Sequence, residues 1–261
     1  MTQIVVREKE YTVVWEKLPP DFVLPDDPVE NINQPLLAAA LTEALDNYGF
    51  ITESMLIASN FGLCAKVNGK TVVKAPDWLY ISRVFPVAEG VIRRSYTPHT
   101  EGEVPTVVME FLSETETGEY SVRPTYPYGK MWFYERILQI PTYVIFDTDL
   151  GFLEVRQLIS GRYEVQSPDA QGRYPITEMG LSLGVWHGRR LETTTYWLRW
   201  WDDEGNLLLW GSERLALEGE KTEQERQRAE QERQRALSAE QEVASLRLRL
   251  RQAGLDDASG V

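Results

Sequence analysis

The sequence predicts an α/β domain, a mixed sheet flanked by helices, followed by a charged C-terminal helix. Three observations carry that prediction. A helical apolar stripe gives way to runs of period two, an Asn-Gly pair sits between two β-rich runs, and the composition changes abruptly near Leu217. The 261 residues suffice for one large domain with an appendage, and a hydrophobic content of 43% is enough to build a real core.

The elements follow in order. Residues 1–30 contain LPPDFVLPDDPVE, whose prolines forbid a regular helix and predict an extended lead-in. Leu36, Leu37, Ala40, Leu41 and Ala44 recur at helical spacing, and Gly49 stands where a helix-ending glycine belongs, so a helix is predicted over 33–48. From Gly49 to Val84 the period becomes two. FITESMLIAS reads as a strand, and LCAKV and KTVVKAPDWLYIS read as a hairpin about Asn68-Gly69. VPTVVMEFLS (104–113) is a further strand. YPYGKMWFYERILQI is a helix closed by Pro141, TYVIFDTD a buried strand, and GFLEVRQLISGRYEVQ a β pair. Residues 171–217 read as short strands and turns, with Trp186, Trp197, Trp200, Trp201 and Trp210 as packing residues lacking cationic partners. The main domain therefore spans 31–217 and the tail 218–261.

The tail has no proline and no aromatic residue, and ERQRA repeats at 225–229 and 232–236, a seven-residue step. Ala229, Ala236, Val243 and Leu250 share one heptad position, and Glu232, Ala239, Leu246 and Ala253 share the position three later. The seam is poor at its start and better at its end. Two readings stay open: a solvated single helix held by charge pairs along its surface, and a coiled coil making a homodimer.

Charge limits the partners. The formal net charge is -13, and the tail from Gly219 holds nine acids against eight bases, so the excess lies in the body. An acidic body repels the phosphate backbone of nucleic acid, unless a local basic groove or an ion-holding carboxylate site offsets it. The single cysteine, Cys64, excludes an intrachain disulfide and reads as a core residue. His99 and His187 are too isolated to form a zinc site. No segment approaches the roughly 20 apolar residues that span a bilayer. The expected location is the cytoplasm, with no membrane partner.

Three residues stand out chemically. In VPTVVMEFLS both strand faces are apolar except at Glu110, so a carboxylate is predicted inside the sheet, where it needs a cation or hydrogen-bond donors. Asp77 follows Pro76 on the neighbouring run. Two carboxylates brought together there would repel, which favours a divalent cation. Lys130 shares a helical stripe with Tyr134 and Ile137 that faces the core, so its ammonium needs an anion. Taken singly, each has a plain structural explanation; the combination points to a site.

At these residues the chain resembles the Uma-type family of restriction-endonuclease-like proteins, within the PD-(D/E)xK nuclease superfamily. The resemblance runs through APDWLYI, PTVVMEFLS, YGKMWFYERILQIPTYVIFD, GRYEVQSPD and WLRWWDDEGNLL, and covers roughly 20–217. It implies a restriction-endonuclease-like fold and hydrolysis of phosphodiester bonds in nucleic acid, with DNA as the expected substrate and a 5′-phosphate and a 3′-hydroxyl as products. It further implies magnesium or manganese held by Asp77, Glu110 and the backbone carbonyl of Phe111, with Lys130 as the catalytic lysine. Two positions depart from the pattern. Tyr126 and Pro127 occupy the stretch where an acid precedes the helix lysine. Asn31–Asn33 replace a histidine or acid at the first helix, leaving Glu30 as the nearest additional acid. The alternative function is an inactive nuclease-fold module that binds or assembles through its helical tail.

Overall fold

The computed structural model describes residues 12–17, 32–112 and 118–253. The chain forms two compact units, Met1–Leu209 and Trp210–Val261.

Among the described residues the first unit is built on three sheets. A short strand β1 (Val13–Val14) precedes helix α1 (Asn33–Tyr48), which ends on left-handed Gly49 as its sequence predicts. Then come β2 (Leu56–Ala58), β3 (Gly62–Val67), β4 (Lys70–Lys74), β5 (Trp78–Ile81), β6 (Ser95–Tyr96) and β7 (Val107–Leu112). Helix α2 (Lys130–Trp132) runs directly into a wider π turn, Phe133–Leu138. The unit continues with β8 (Thr142–Asp147), β9 (Phe152–Ile159), β10 (Arg162–Val165), β11 (Tyr174–Ile176), a 3-10 turn at Thr177–Met179, β12 (Leu181–Arg190) and β13 (Thr193–Trp201).

The central sheet has six strands in the order β10-β9-β8-β7-β5-β2. Only β7 and β8 run parallel in it, because the α2 crossover returns the chain to the same end of the sheet. A four-stranded sheet joins β1, β3 and β4, with β6 on β3. A three-stranded sheet orders β11-β12-β13.

The Asn68-Gly69 hairpin forms as predicted, both residues taking positive φ. The run that follows it does not stay one strand. It breaks at Pro76, which has no N–H for a ladder, so β4 and β5 enter different sheets. Part of the lead-in also differs from expectation, since Val13 and Val14 pair with β3. Residues 1–11 and 18–30, including Glu30, lie outside the described residues.

Residues 171–217 depart furthest. Instead of short strands and turns, β12 and β13 pair over their whole length as a long hairpin, rich in the aromatic and β-branched residues that suit cross-strand packing. Trp197 and Trp200 are buried as packing residues. Trp186 and Trp201 do have cationic partners, Arg199 and Arg173.

The core lies on both sides of the central sheet. On one side Leu79, Val108, Tyr143 and Ile145 meet Met131, Phe133, Tyr134 and Leu138 of the α2 segment. Toward α1, Trp78 donates its indole N–H to Thr42 (3.0 Å) and its ring packs on Trp200. Cys64 is fully buried in β3, and burial pushes its thiol up to about 11, which leaves it unreactive at neutral pH.

Among its described residues the second unit is one long helix, α3 (Gly211–Gln252). Glu213 accepts the Trp210 N–H at 2.9 Å, and Arg249 and Arg251 occupy the last turn, so both ends complement the helix dipole. No described helix is long and apolar enough to cross a membrane.

Gly129, immediately before α2, packs against the backbone of Ser121. A Cβ built on it would lie 2.1 Å from the Ser121 carbonyl oxygen, a contact with backbone that cannot swing away. Gly129→Ala is expected to destabilise the domain by about 1–3 kcal/mol in chemical denaturation, as overpacking does. Gly118→Ala, with open space around its Cβ, should cost much less.

Candidate active site

The site forms where β5 ends beside β7. Their antiparallel register pairs Trp78 with Met109, and continuing it sets Asp77 opposite Glu110. Residues directly opposite in an antiparallel pair share a face, so both acids are delivered to the side covered by α2. Because β5 pairs no further than Met109, the backbone of Phe111 must find side-chain partners on that edge. Its N–H donates to Asp77 Oδ2, and its carbonyl accepts from Gln34 Nε2 at 2.7 Å.

Glu110 is fully buried. Its Oε1 accepts from the Tyr134 hydroxyl at 2.9 Å, and its Oε2 lies 3.2 Å from Lys130 Nζ. Lys130 also reaches Glu119 Oε1 at 3.2 Å. Lys130 and Tyr134 sit one helical turn apart at the start of the α2 segment, and the stripe predicted through Lys130, Tyr134 and Ile137 does face the core. Lys130 keeps about a fifth of its side chain exposed, so the ammonium spans the interior and the open side of the site.

Glu119 is the residue that sequence reasoning missed. It is buried, its backbone carbonyl accepts from Tyr143, and among the described residues its Oε2 has no hydrogen-bond partner. An acid thus stands beside the lysine, eleven residues upstream of it in the chain. The run ETETGEY offers three glutamates and no periodicity to single one out. Gln34 was missed as well: the first helix reaches the site through Gln34, and Asn31 lies outside the described residues. A buried glutamine on an otherwise apolar helix face was the available signal.

The electrostatics are lopsided. Asp77 and Glu119 both act on Glu110, and all three acids act on the Lys130 ammonium. Burial pushes the Glu110 carboxyl up to about 8. Lys130 pulls against that, Asp77 and Glu119 add to it, and the Tyr134 hydrogen bond opposes it. Burial alone would lower Lys130, but Glu110, Glu119 and Asp77 together outweigh it and hold the ammonium above the usual lysine range. Burial, then Glu110, raises the Tyr134 hydroxyl, so it stays a neutral donor.

The fit of a divalent cation can be judged from the donor set. The available ligands are all hard oxygens, three carboxylates face one fixed positive charge, and one buried carboxylate oxygen lacks a partner. Four of the atoms are already engaged, Asp77 Oδ2, both Glu110 oxygens and the Phe111 carbonyl, although each carboxylate or carbonyl oxygen has a second lone pair. Among the described residues no three His, Cys, Asp or Glu side chains converge as a ready metal cluster, so a resident ion would rest on two carboxylates and the carbonyl. The residues fit a hard divalent ion on those terms.

A mixed sheet with a parallel central pair, a crossover helix and two acids at neighbouring strand positions defines a restriction-endonuclease-like protein. The chain belongs to the Uma2 family, described as “Putative restriction endonuclease”, whose family model matches residues 25–198. No curated protein matches the chain.

Two predictions follow from this geometry. In metal-free protein the folded state keeps a proton on Glu110 up to about pH 8, whereas the unfolded chain releases it near 4.5. The folded state binds more protons across that window, so this group's contribution to stability falls as pH rises through it. Glu110→Gln should therefore raise the melting temperature at pH 8 in EDTA, by roughly 2–4 °C for each kcal/mol recovered, and do little at pH 5. Gln34→Leu strands the Phe111 carbonyl and should cost about 1–3 kcal/mol in urea unfolding. A neutral result would show that water satisfies that oxygen equally well.

Proposed function

We propose that this chain is a metal-dependent nuclease that hydrolyses phosphodiester bonds in DNA at the site of Asp77, Glu110 and Lys130. The observation that carries the reading is the partly exposed Lys130 ammonium, fixed 3.2 Å from each of two buried glutamates beside Asp77. Salt-bridge architecture alone does not call for a surplus of buried acid around one cation; a divalent ion and a phosphate do.

Asp77, Glu110 and the Phe111 carbonyl would hold magnesium or manganese. When bound, that ion would supply a Lewis acid for the scissile phosphate and lower the pKa of the attacking water. Lys130 keeps its charge because three acids surround it, and its donors are directed by Glu110 and Glu119. It is placed to hydrogen-bond a non-bridging phosphate oxygen as charge builds at phosphorus. Tyr134 fixes the rotamer of Glu110, and Gln34 holds the Phe111 carbonyl; both act as positioning residues.

A second reading is favoured by a specific observation. The Phe111 carbonyl already has a donor in Gln34, and the body is strongly acidic. Both suit a nuclease fold that no longer cuts and that binds or assembles through its helical tail, as a homodimer.

Purified protein given supercoiled DNA should nick it with magnesium or manganese and stop in EDTA. Lys130→Ala should lower the rate by about 10²–10³, and Asp77→Ala should abolish both cleavage and metal binding in calorimetry. Cleavage that survives both substitutions would falsify the assignment. Absence of magnesium and manganese binding to the wild-type chain would favour the non-cutting module.

A further inference from the structure

Helix α3 is continuous over 42 residues, and none of them is buried. Its side chains divide into two halves. With Ala236, Val243 and Leu250 at heptad position a, the d positions of the first half are Glu218, Glu225 and Glu232, whereas those of the second half are Ala239, Leu246 and Ala253. Val243, Leu246 and Leu250 thus form an apolar seam that stays about half exposed in the single chain. The first half carries charge on the same stripe.

A second copy can cover this seam in two orientations, and the charges distinguish them. Parallel pairing would lay the three d-position glutamates against their own copies. It would also set Lys221 facing Arg226 of the partner subunit and Arg228 facing Arg233 of the partner subunit. Arg235 facing Glu240 of the partner subunit and Glu242 facing Arg247 of the partner subunit would be attractive, so the flanks balance, and the three stacked d-position glutamates are what select against that arrangement. In antiparallel pairing only the second halves overlap. Ala239 then faces the partner's Leu250, and Val243 faces the partner's Leu246, so a smaller side chain meets a leucine in each of these layers, and Ala236 meets the partner's Ala253 at the ends. On the flanks Glu240 faces the partner's Arg247, and Glu242 faces the partner's Arg249, each pair occurring twice by symmetry. No like-charge pair remains, and the glutamates of the first half lie outside the overlap.

We propose that two copies of this chain associate through residues 236–253 of α3 as an antiparallel, twofold-symmetric helix pair. The pairing does not depend on the nuclease reading, since it uses no residue of the site.

The full-length chain is examined by size-exclusion chromatography with light scattering at high micromolar concentration. A dimer mass is expected. Leu246→Glu should give a monomer whose body melts at the wild-type temperature. Orientation is read by mild oxidation of cysteine variants, with Cys64 silent because it is buried. The Ala239 positions of an antiparallel pair lie about 16 Å apart along the axis at 1.5 Å per residue, beyond disulfide reach. Ala239→Cys alone should therefore not crosslink, nor should Leu250→Cys alone, whereas an equimolar mixture should form the mixed disulfide. A wild-type monomer, a mass above the dimer, or a dimer that survives Leu246→Glu overturns the pairing. A homodisulfide from Ala239→Cys alone overturns its direction.

Discussion

The architecture of the first unit depends on one burial: a glutamate with no solvent exposure in the middle of the central sheet. A lone ionised carboxylate there would cost several kcal/mol. Lys130 and Tyr134 offset that cost by meeting both of its oxygens from a single helical turn. The π turn from Phe133 begins within the same stretch, and widened turns of this kind recur at functional sites in helices. Gly129 lets the turn start hard against the Ser121 backbone, and Glu119, held through Tyr143, closes the ammonium from the other side.

The same constraint shapes the sheet. Pro76 ends the β4–β5 run, so β5 starts late and leaves the Phe111 edge of β7 unpaired by backbone. A side chain takes each of the two exposed backbone groups, Asp77 the N–H and Gln34 the C=O. A break in the ladder thereby becomes a place where carboxylate and carbonyl oxygens gather. The site exists because regular pairing stops there.

Much of this was legible in the residues, for identifiable reasons. Glu110 stood out because both faces of its strand are otherwise apolar, and an acid in that setting needs compensation wherever the strand lies. Lys130 stood out because helical periodicity turned it inward beside Tyr134. Helix α1 and the Asn68-Gly69 hairpin were readable because a left-handed glycine and a two-residue turn are local backbone requirements. Glu119 was not readable, since nothing local separates it from Glu114 and Glu116; only a tertiary contact with Lys130 and Tyr143 selects it. Gln34 was hidden for a similar reason: its partner is a backbone carbonyl 77 residues away, freed by a break in another strand. The long β12–β13 hairpin escaped because its tryptophans, threonines and arginines blur the alternation that marks a strand, and packing rather than pattern decides its length.

The two units spend their charge in opposite ways. In the body, acids are buried around one ammonium, and the resulting surplus is what a divalent ion could neutralise. In the tail, acids and bases nearly cancel along an exposed helix, so charge there adds little to net attraction or repulsion and instead selects among pairings. An acidic body gives long-range steering toward a phosphate backbone little to work with. Under the proposed function, recognition would then rest on short-range contacts at the site, where an ion and Lys130 supply the positive charge. Bringing two copies together would double those local contacts without changing the repulsive field of each body. On that argument the helical tail would complement a body that, under the proposed function, is poorly suited to finding nucleic acid by electrostatics alone.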